Sequence, residues 1–435
     1  VRSFSDGKSA YEFLSSNEIP SLVVMEWKLP ALNGPALLQR IRLQLKLDIP
    51  LIIYSSVVGD GDRLLLREMG VTEVISKPMY QKLLMEEIKT VILNEKSGTD
   101  IERIESKIRV KLRQGDFGGA QALLDVVQKN DKIPAFIKAQ LQAETLCFKG
   151  NYVEAKEFAI NALNEGGENL MLLDLLGKIL LNLKEFEFSK KFLDKAAKLS
   201  PNNIERLCAL AEVNGEIGDN DGLQTRLDQA KKIDKESEYI TESEAAIAIT
   251  SGNIKLAQNL MKTMNSSESL VARLNNKAVS LVNQEKASEA VNLYQKALNA
   301  ISIKSKSLSE TVYYNLGLAF AKSGELEKAT MALQHVNNDT NRRVSVKSKS
   351  LLQRIKKCVD RGESLVLKTA DNKKLTDESF LSIEIVSSPN ELPIAKDALP
   401  GDICCHLIYQ IERSPDSHVL ELLLKHGTTR RARAS

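Results

Sequence analysis

Apolar and polar positions alternate in two distinct ways along this chain. In residues 1–98, short apolar runs are separated by segments of helical period. Ser21–Met25, Pro50–Tyr54 and Val74–Ser76 are the runs; Gly7–Ser15, Gly34–Leu45, Gly61–Met69 and Tyr80–Asn94 carry the helical pattern. Strand–helix alternation at this spacing predicts βαβ units and a mostly parallel sheet. Right-handed crossovers then gather the strand ends on one face. Glu26, Ser55 and Lys77 each follow or close one of the predicted strands, so all three are expected on that face.

From about residue 99 the alternation of apolar runs and helical segments disappears and a longer pattern replaces it. GDF (115–117), GNY (150–152), KEF (184–186), GDN (218–220), GNI (252–254), EKA (285–287) and GEL (324–326) recur, their last residues separated by steps of 35, 34, 34, 34, 33 and 39. Small residues keep the same beat. Ala143, Gly177, Ala211, Ala245, Ala278 and Gly317 stand nine positions before the mark, and Ala120, Ala155, Ser189, Ala257, Ala290 and Ala329 three after it. Ala162, Ala196, Ala230 and Ala297 stand ten after it. A fixed period of this length predicts helical hairpins stacked as a solenoid, with small side chains where the two helices cross. The extra length at 300–312 predicts a longer turn with extended helices. Helical periodicity stops near Gly362; SIEIVSS and ICCHLIYQI then look strand-like, predicting a small mixed cap over 362–435 that ends in a basic tail.

Composition narrows the function classes. The chain has 435 residues, too many for one ordinary core, so several domains are expected. A net charge of +3 gives no global pull toward nucleic acid. Aromatics at 5% suit Ala- and Leu-built helical repeats better than an all-β domain. No apolar run is long enough for a membrane span, and no signal peptide opens the chain, so a cytoplasmic protein is expected. Five scattered Cys lack metal-ligand spacing and fit free thiols in a reducing compartment. Cys404 and Cys405 are expected as buried strand thiols, and HGTTRRARAS as a solvated tail with nucleic acid unlikely as its partner. No glycine-rich nucleotide loop and no Ser/His/Asp set is spaced for catalysis, so no enzyme and no cofactor are expected.

EWKLPALNG (26–34), LIIYSS (51–56), REMGVTEVISKP (67–78) and the closing helix from Tyr80 together resemble the receiver domain of bacterial response regulators. The resemblance covers essentially all of residues 1–95 and implies a flavodoxin-like α/β fold. In that family an Asp at the Glu26 position accepts a phosphoryl group from a histidine kinase; the residue at Ser55 hydrogen-bonds the group and the lysine at Lys77 pairs with its charge. Such transfer works by positioning and electrostatics. The sequence departs from the pattern in three places. Glu26 replaces the Asp, moving the carboxylate outward by on the order of 1.5 Å. Val74 holds the family's aromatic switch position. The first strand, with the acidic pair that holds Mg²⁺, and the first helix have no counterpart, so Mg²⁺ is expected only if a longer protein supplies that pair. Glu26 admits three roles: a solvated strand-end carboxylate, a partner of Lys77 that fixes one conformation, or a working phosphoacceptor. Trp27 admits two, surface recognition or loop packing.

Residues 99–361 resemble tetratricopeptide (TPR) proteins, with about seven units; YYNLGLAFAKSGELEKA (313–329) is the cleanest copy. Ile108 and Leu223 mark degenerate first and fourth units. The resemblance implies a concave groove that holds peptides through first-helix polar side chains, for which Asn275, Asn276, Asn315 and Lys322 are the candidates. The combined expectation is a two-component-type signalling adaptor. It would bind protein partners through the TPR groove and through the receiver face around 62–94, and paired receivers or exposed repeat ends allow a homodimer. The alternatives are a phosphorylation-controlled regulator whose longer form completes the metal site, and a nucleic-acid-binding regulator.

Overall fold

A computed structural model describes residues 2–16, 19–71, 73–97, 101–301, 306–336 and 342–361. The expected mixed cap and basic tail, with Cys404 and Cys405, lie outside the described residues. The described chain divides into two compact units. One comprises residues up to Ile133 with Leu199–Asn203; the other comprises Pro134–Lys198 and the residues from Ile204 onward.

The first unit opens as alternating elements: α1 (Gly7–Ser15), β1 (Val23–Met25), α2 (Gly34–Gln39), β2 (Leu51–Ser55), α3 (Asp60–Glu68), β3 (Glu73–Ser76) and α4 (Gln81–Ser97). Asp6 caps α1 by accepting from the Ser9 amide, and Asn33 caps α2 by accepting from that of Ala36. These side chains satisfy amides that a helix start leaves open. The strands form a parallel sheet in the order β1–β2–β3, with Val24 opposite Ile52 and Ile53 opposite Val74. Each face of the sheet has its own apolar layer. Leu14, Leu37, Ile41, Ile53 and Leu65 fill one side; Ile52, Ile75 and Val91 fill the other. Among the described residues β1 pairs only with β2, and its Val24 is 42% exposed. This is a sheet of three parallel strands between helices, as the strand–helix alternation predicts, and it is receiver-like, as the resemblance implies.

One buried charge organises the loops beneath this sheet. A π-helical turn (Arg40–Gln44) continues α2 and carries Arg42, which is only 2% exposed. Its guanidinium donates to the carbonyls of Met69, Leu47 and Ile49 at 2.9, 2.6 and 2.8 Å. A buried cation without acceptors would be costly; three carbonyls give it acceptors and pin two loops together.

Helical hairpins follow: α5 (Ile101–Gln114) with α6 (Phe117–Lys129), which belongs to the first unit, and then six more. They are α7 (Ala135–Phe148) with α8 (Tyr152–Gly166), α9 (Leu170–Asn182) with α10 (Phe186–Leu199), and α11 (Ile204–Glu216) with α12 (Asn220–Ile233). Then come α13 (Glu238–Ser251) with α14 (Ile254–Thr263), α15 (Glu268–Asn283) with α16 (Ala287–Ala300), and α17 (Lys306–Lys322) with α18 (Leu326–Gln334). A last helix, α19 (Arg342–Arg361), packs on α17 and α18.

The recurring sequence mark is the hairpin turn. Its first residue has a left-handed backbone in all seven units: Gly115, Gly150, Lys184, Gly218, Gly252, Glu285 and Gly324, with φ between 62° and 86°. Glycine reaches this conformation without steric cost, so five glycines are expected and Lys184 and Glu285 stand out. The small-residue positions are the helix crossings. Ala143, Ala211, Ala245, Ala278, Ala155, Ala257 and Ala329 are fully buried. A Cβ added at Gly177 would lie 2.4 Å from the Leu193 side chain, so the spacing tolerates nothing larger than glycine there.

Candidate functional site

The three strand-end residues meet in one hydrogen-bonded cluster. Glu26 follows β1, Ser55 ends β2, and Lys77 follows β3, its amide donating to the Ser55 carbonyl at 3.1 Å. The Lys77 ammonium donates to Glu26 Oε2 at 2.7 Å. Glu26 Oε1 accepts from the Ser55 hydroxyl, from the Trp27 amide at 2.7 Å and from the Lys28 amide at 3.2 Å. Ser55 is buried, Glu26 half-buried and Lys77 exposed. The Lys77 ammonium also sits 4.9 Å from the Tyr54 ring centre, where the ring face attracts a cation.

These contacts set the charge of the carboxyl. Burial pushes the Glu26 pKa up, but the hydrogen bonds from Lys77, Ser55, Lys28 and Trp27 outweigh it and hold the group at about 2. Glu26 is therefore an anion at neutral pH with both oxygens engaged. The extra methylene lets the carboxylate span from Ser55 to Lys77.

Trp27 packs the loop. It is 4% exposed, and its indole Nε1 donates to Asp62 Oδ2 at 2.8 Å. Asp62 stands in the first turn of α3, where a carboxylate complements the helix dipole. The Gly34 amide donates to the Trp27 carbonyl, and a Cβ on Gly34 would come within 2.8 Å of the indole, so glycine is required there. Asp62 was not singled out by sequence; its distance from Trp27 along the chain hides a contact that the fold creates. Val74 lies on β3, half-buried against the layer containing Ile53, and has no ring to rotate.

The residues present do not fit a Mg²⁺ ion. A cation needs several free oxygens, whereas Glu26 Oε2 already accepts from an ammonium and Oε1 from three donors. Among the described residues, no group of three His, Cys, Asp or Glu is placed to hold a metal.

The repeat candidates divide. Asn275 and Asn315 are 1% and 2% exposed, so the expectation that they face a groove is corrected. Asn275 Oδ1 accepts from the Asn315 amide at 2.5 Å and from the Tyr294 hydroxyl at 3.1 Å. The three form a buried polar joint among α15, α16 and α17, because Asn275 lies one helical turn before the crossing residue Ala278. Asn276 and Lys322 are half-buried, and burial pushes the Lys322 pKa down. They remain open to a partner only in part.

Comparison with known proteins follows the two parts of the geometry. Residues 1–89 match the response regulator receiver domain, and residues 172–203 match the tetratricopeptide repeat. The chemotaxis protein CheY homolog of Campylobacter jejuni subsp. jejuni is 28% identical over 87 residues, which are 20% of this chain and 67% of that protein. Chemotaxis protein CheY1 of Helicobacter pylori is 26% identical over 87 residues, covering 20% of this chain and 70% of that one. A tetratricopeptide repeat protein of Parabacteroides merdae aligns over 58% of this chain and 97% of its own, with 17% identity and a TM-score of 0.32. The chain thus carries a response regulator receiver domain followed by TPR repeats. No helix among the described residues is long and apolar enough to cross a membrane.

Proposed function

We propose that this chain is a non-enzymatic, cytoplasmic signalling adaptor whose receiver domain is held in one state by its own Glu26 while the repeat array binds protein partners. One observation carries the proposal. The Glu26 carboxylate already takes the hydroxyl of Ser55 and the ammonium of Lys77. By the resemblance, these two side chains would otherwise serve a phosphoryl group. A side chain that supplies the negative charge itself removes the need for the phosphoryl group and blocks its approach.

Nucleophilic attack also needs a free carboxylate oxygen aligned with phosphorus, and misplacement by about 1 Å costs about 10²-fold. Here Oε2 lies against Lys77, and Oε1 accepts three hydrogen bonds. At the position where the family carries the aromatic side chain that reports phosphorylation, this chain has Val74, so that position has no ring to rotate. Docking is assigned to the face around 62–94, where Tyr80 and Leu83 are exposed at 83% and 48%, and to the repeat array as a protein-binding scaffold.

Incubation with radiolabelled acetyl phosphate and Mg²⁺, and separately with a phosphorylated histidine kinase, tests the proposal. No acid-labile label is expected. Label that appears in wild type and disappears in Glu26→Ala would instead establish a phosphorylation-controlled regulator.

A further inference from the structure

In a solenoid each repeat ordinarily touches only its neighbours. The second unit breaks this rule at several places. Glu212 on α11 reaches past the whole α13/α14 hairpin to α15, where it pairs with Arg273 at 2.5 Å and Lys277 at 2.9 Å. Lys277 also meets Glu216 at 3.1 Å. Arg273 donates to Ser243 on the intervening α13 at 3.0 Å. A Cβ on Gly150, in the α7/α8 turn, would sit 3.8 Å from the Asn276 carbonyl on α15. Farther out, Lys184 in the α9/α10 turn pairs with Glu289 on α16, 105 residues away in sequence.

Lys184 carries a second, independent mark. It holds a left-handed backbone, φ 65°, at a turn position where five of the seven units use glycine. A lysine there costs more than glycine, and such strain is retained where the side chain does something glycine cannot. Here that something is the pair with Glu289. From these contacts we infer that the repeat array is closed across its own inner face by an ionic clasp: a part centred on the buried Glu212, with Arg273 and Lys277, and a more exposed latch, Lys184 with Glu289. The inference rests on the proposal that the array binds protein segments, because a closed inner face must open to admit one. The latch is the part that opens. Its two side chains are 33% and 44% exposed, whereas the other part centres on Glu212 at 9% and Lys277 at 14%, with Arg273 at 33% on its edge. Exposed pairs are weak and yield to salt.

Fluorophores attached through azide-bearing residues at the exposed positions Glu187 on α10 and Asn292 on α16 of the full chain, with no partner added, would read the closure as energy transfer. Transfer should be high at low salt and fall at about 1 M salt, where the Debye length is about 3 Å. Lys184→Glu should show the low value already at low salt. Lys184→Gly should do the same without lowering the melting temperature, since glycine relieves the turn. The reversed pair, Lys184→Glu with Glu289→Lys, should restore high transfer. Unchanged transfer in Lys184→Glu, or failure of the reversed pair to restore it, would overturn the clasp. Neither result bears on whether the array binds partners, which a capture assay reads separately.

Discussion

Glu26 shows how one methylene can change a site. An Asp would stop short of spanning the gap, while Glu26 places Oε2 2.7 Å from the Lys77 ammonium and Oε1 against Ser55 and two amides. The sign of its linkage to stability follows from its pKa, held at about 2 in the folded chain against an ordinary value of 4.5. A lowered carboxyl pKa adds stability that is complete above the unfolded value and drains away as pH falls from about 4.5 toward 2. Urea unfolding of wild type and Glu26→Gln should therefore differ by about 1 kcal/mol at pH 7, and the gap should narrow below about pH 4.5 and close only as pH falls through about 2. A constant gap across that range would place the stabilisation elsewhere. Asn275 poses the opposite case, a polar residue placed in the core. Asn275→Ala leaves Tyr294 and Asn315 without their shared acceptor and should cost about 1–3 kcal/mol, read as a lower urea midpoint.

At the scale of elements, the hairpin turn is the unit of construction. The turn residue is left-handed in every repeat, and five glycines meet that need directly. Gly252→Ala should destabilise by about 1 kcal/mol, whereas Glu285→Gly should stabilise by about 0.5–1 kcal/mol, with thermal melts as the check. The turns and the helix crossings were legible in the sequence because both are local, one-residue requirements repeated at a fixed period. The three strands were legible too, since burial on both faces writes continuous apolar runs such as Leu51–Ile53. The Trp27–Asp62 bond was not legible: two residues 35 apart meet only after β2 and its loops fold. Nor was the burial of Asn275 and Asn315. The pattern places them on first helices, but which first-helix positions face a groove depends on how tightly successive hairpins wind. Arg42 was hidden for a related reason, because its three carbonyl acceptors come from two loops with no motif of their own.

At the scale of the whole molecule, a receiver domain and a repeat array share one chain, the first proposed to hold a fixed input state and the second to dock partners. On this proposal Glu26 leaves nothing for phosphorylation to switch. Hydrogen–deuterium exchange of the full chain, with and without acetyl phosphate and Mg²⁺, reads this at every amide at once. Superimposable exchange is expected in β1–β3, in α3 and α4 and across the repeats, with no mass gain at the peptide containing Glu26. A phosphoryl mass increment on that peptide, accompanied by altered protection in α3 or α4, would show instead a receiver that still switches.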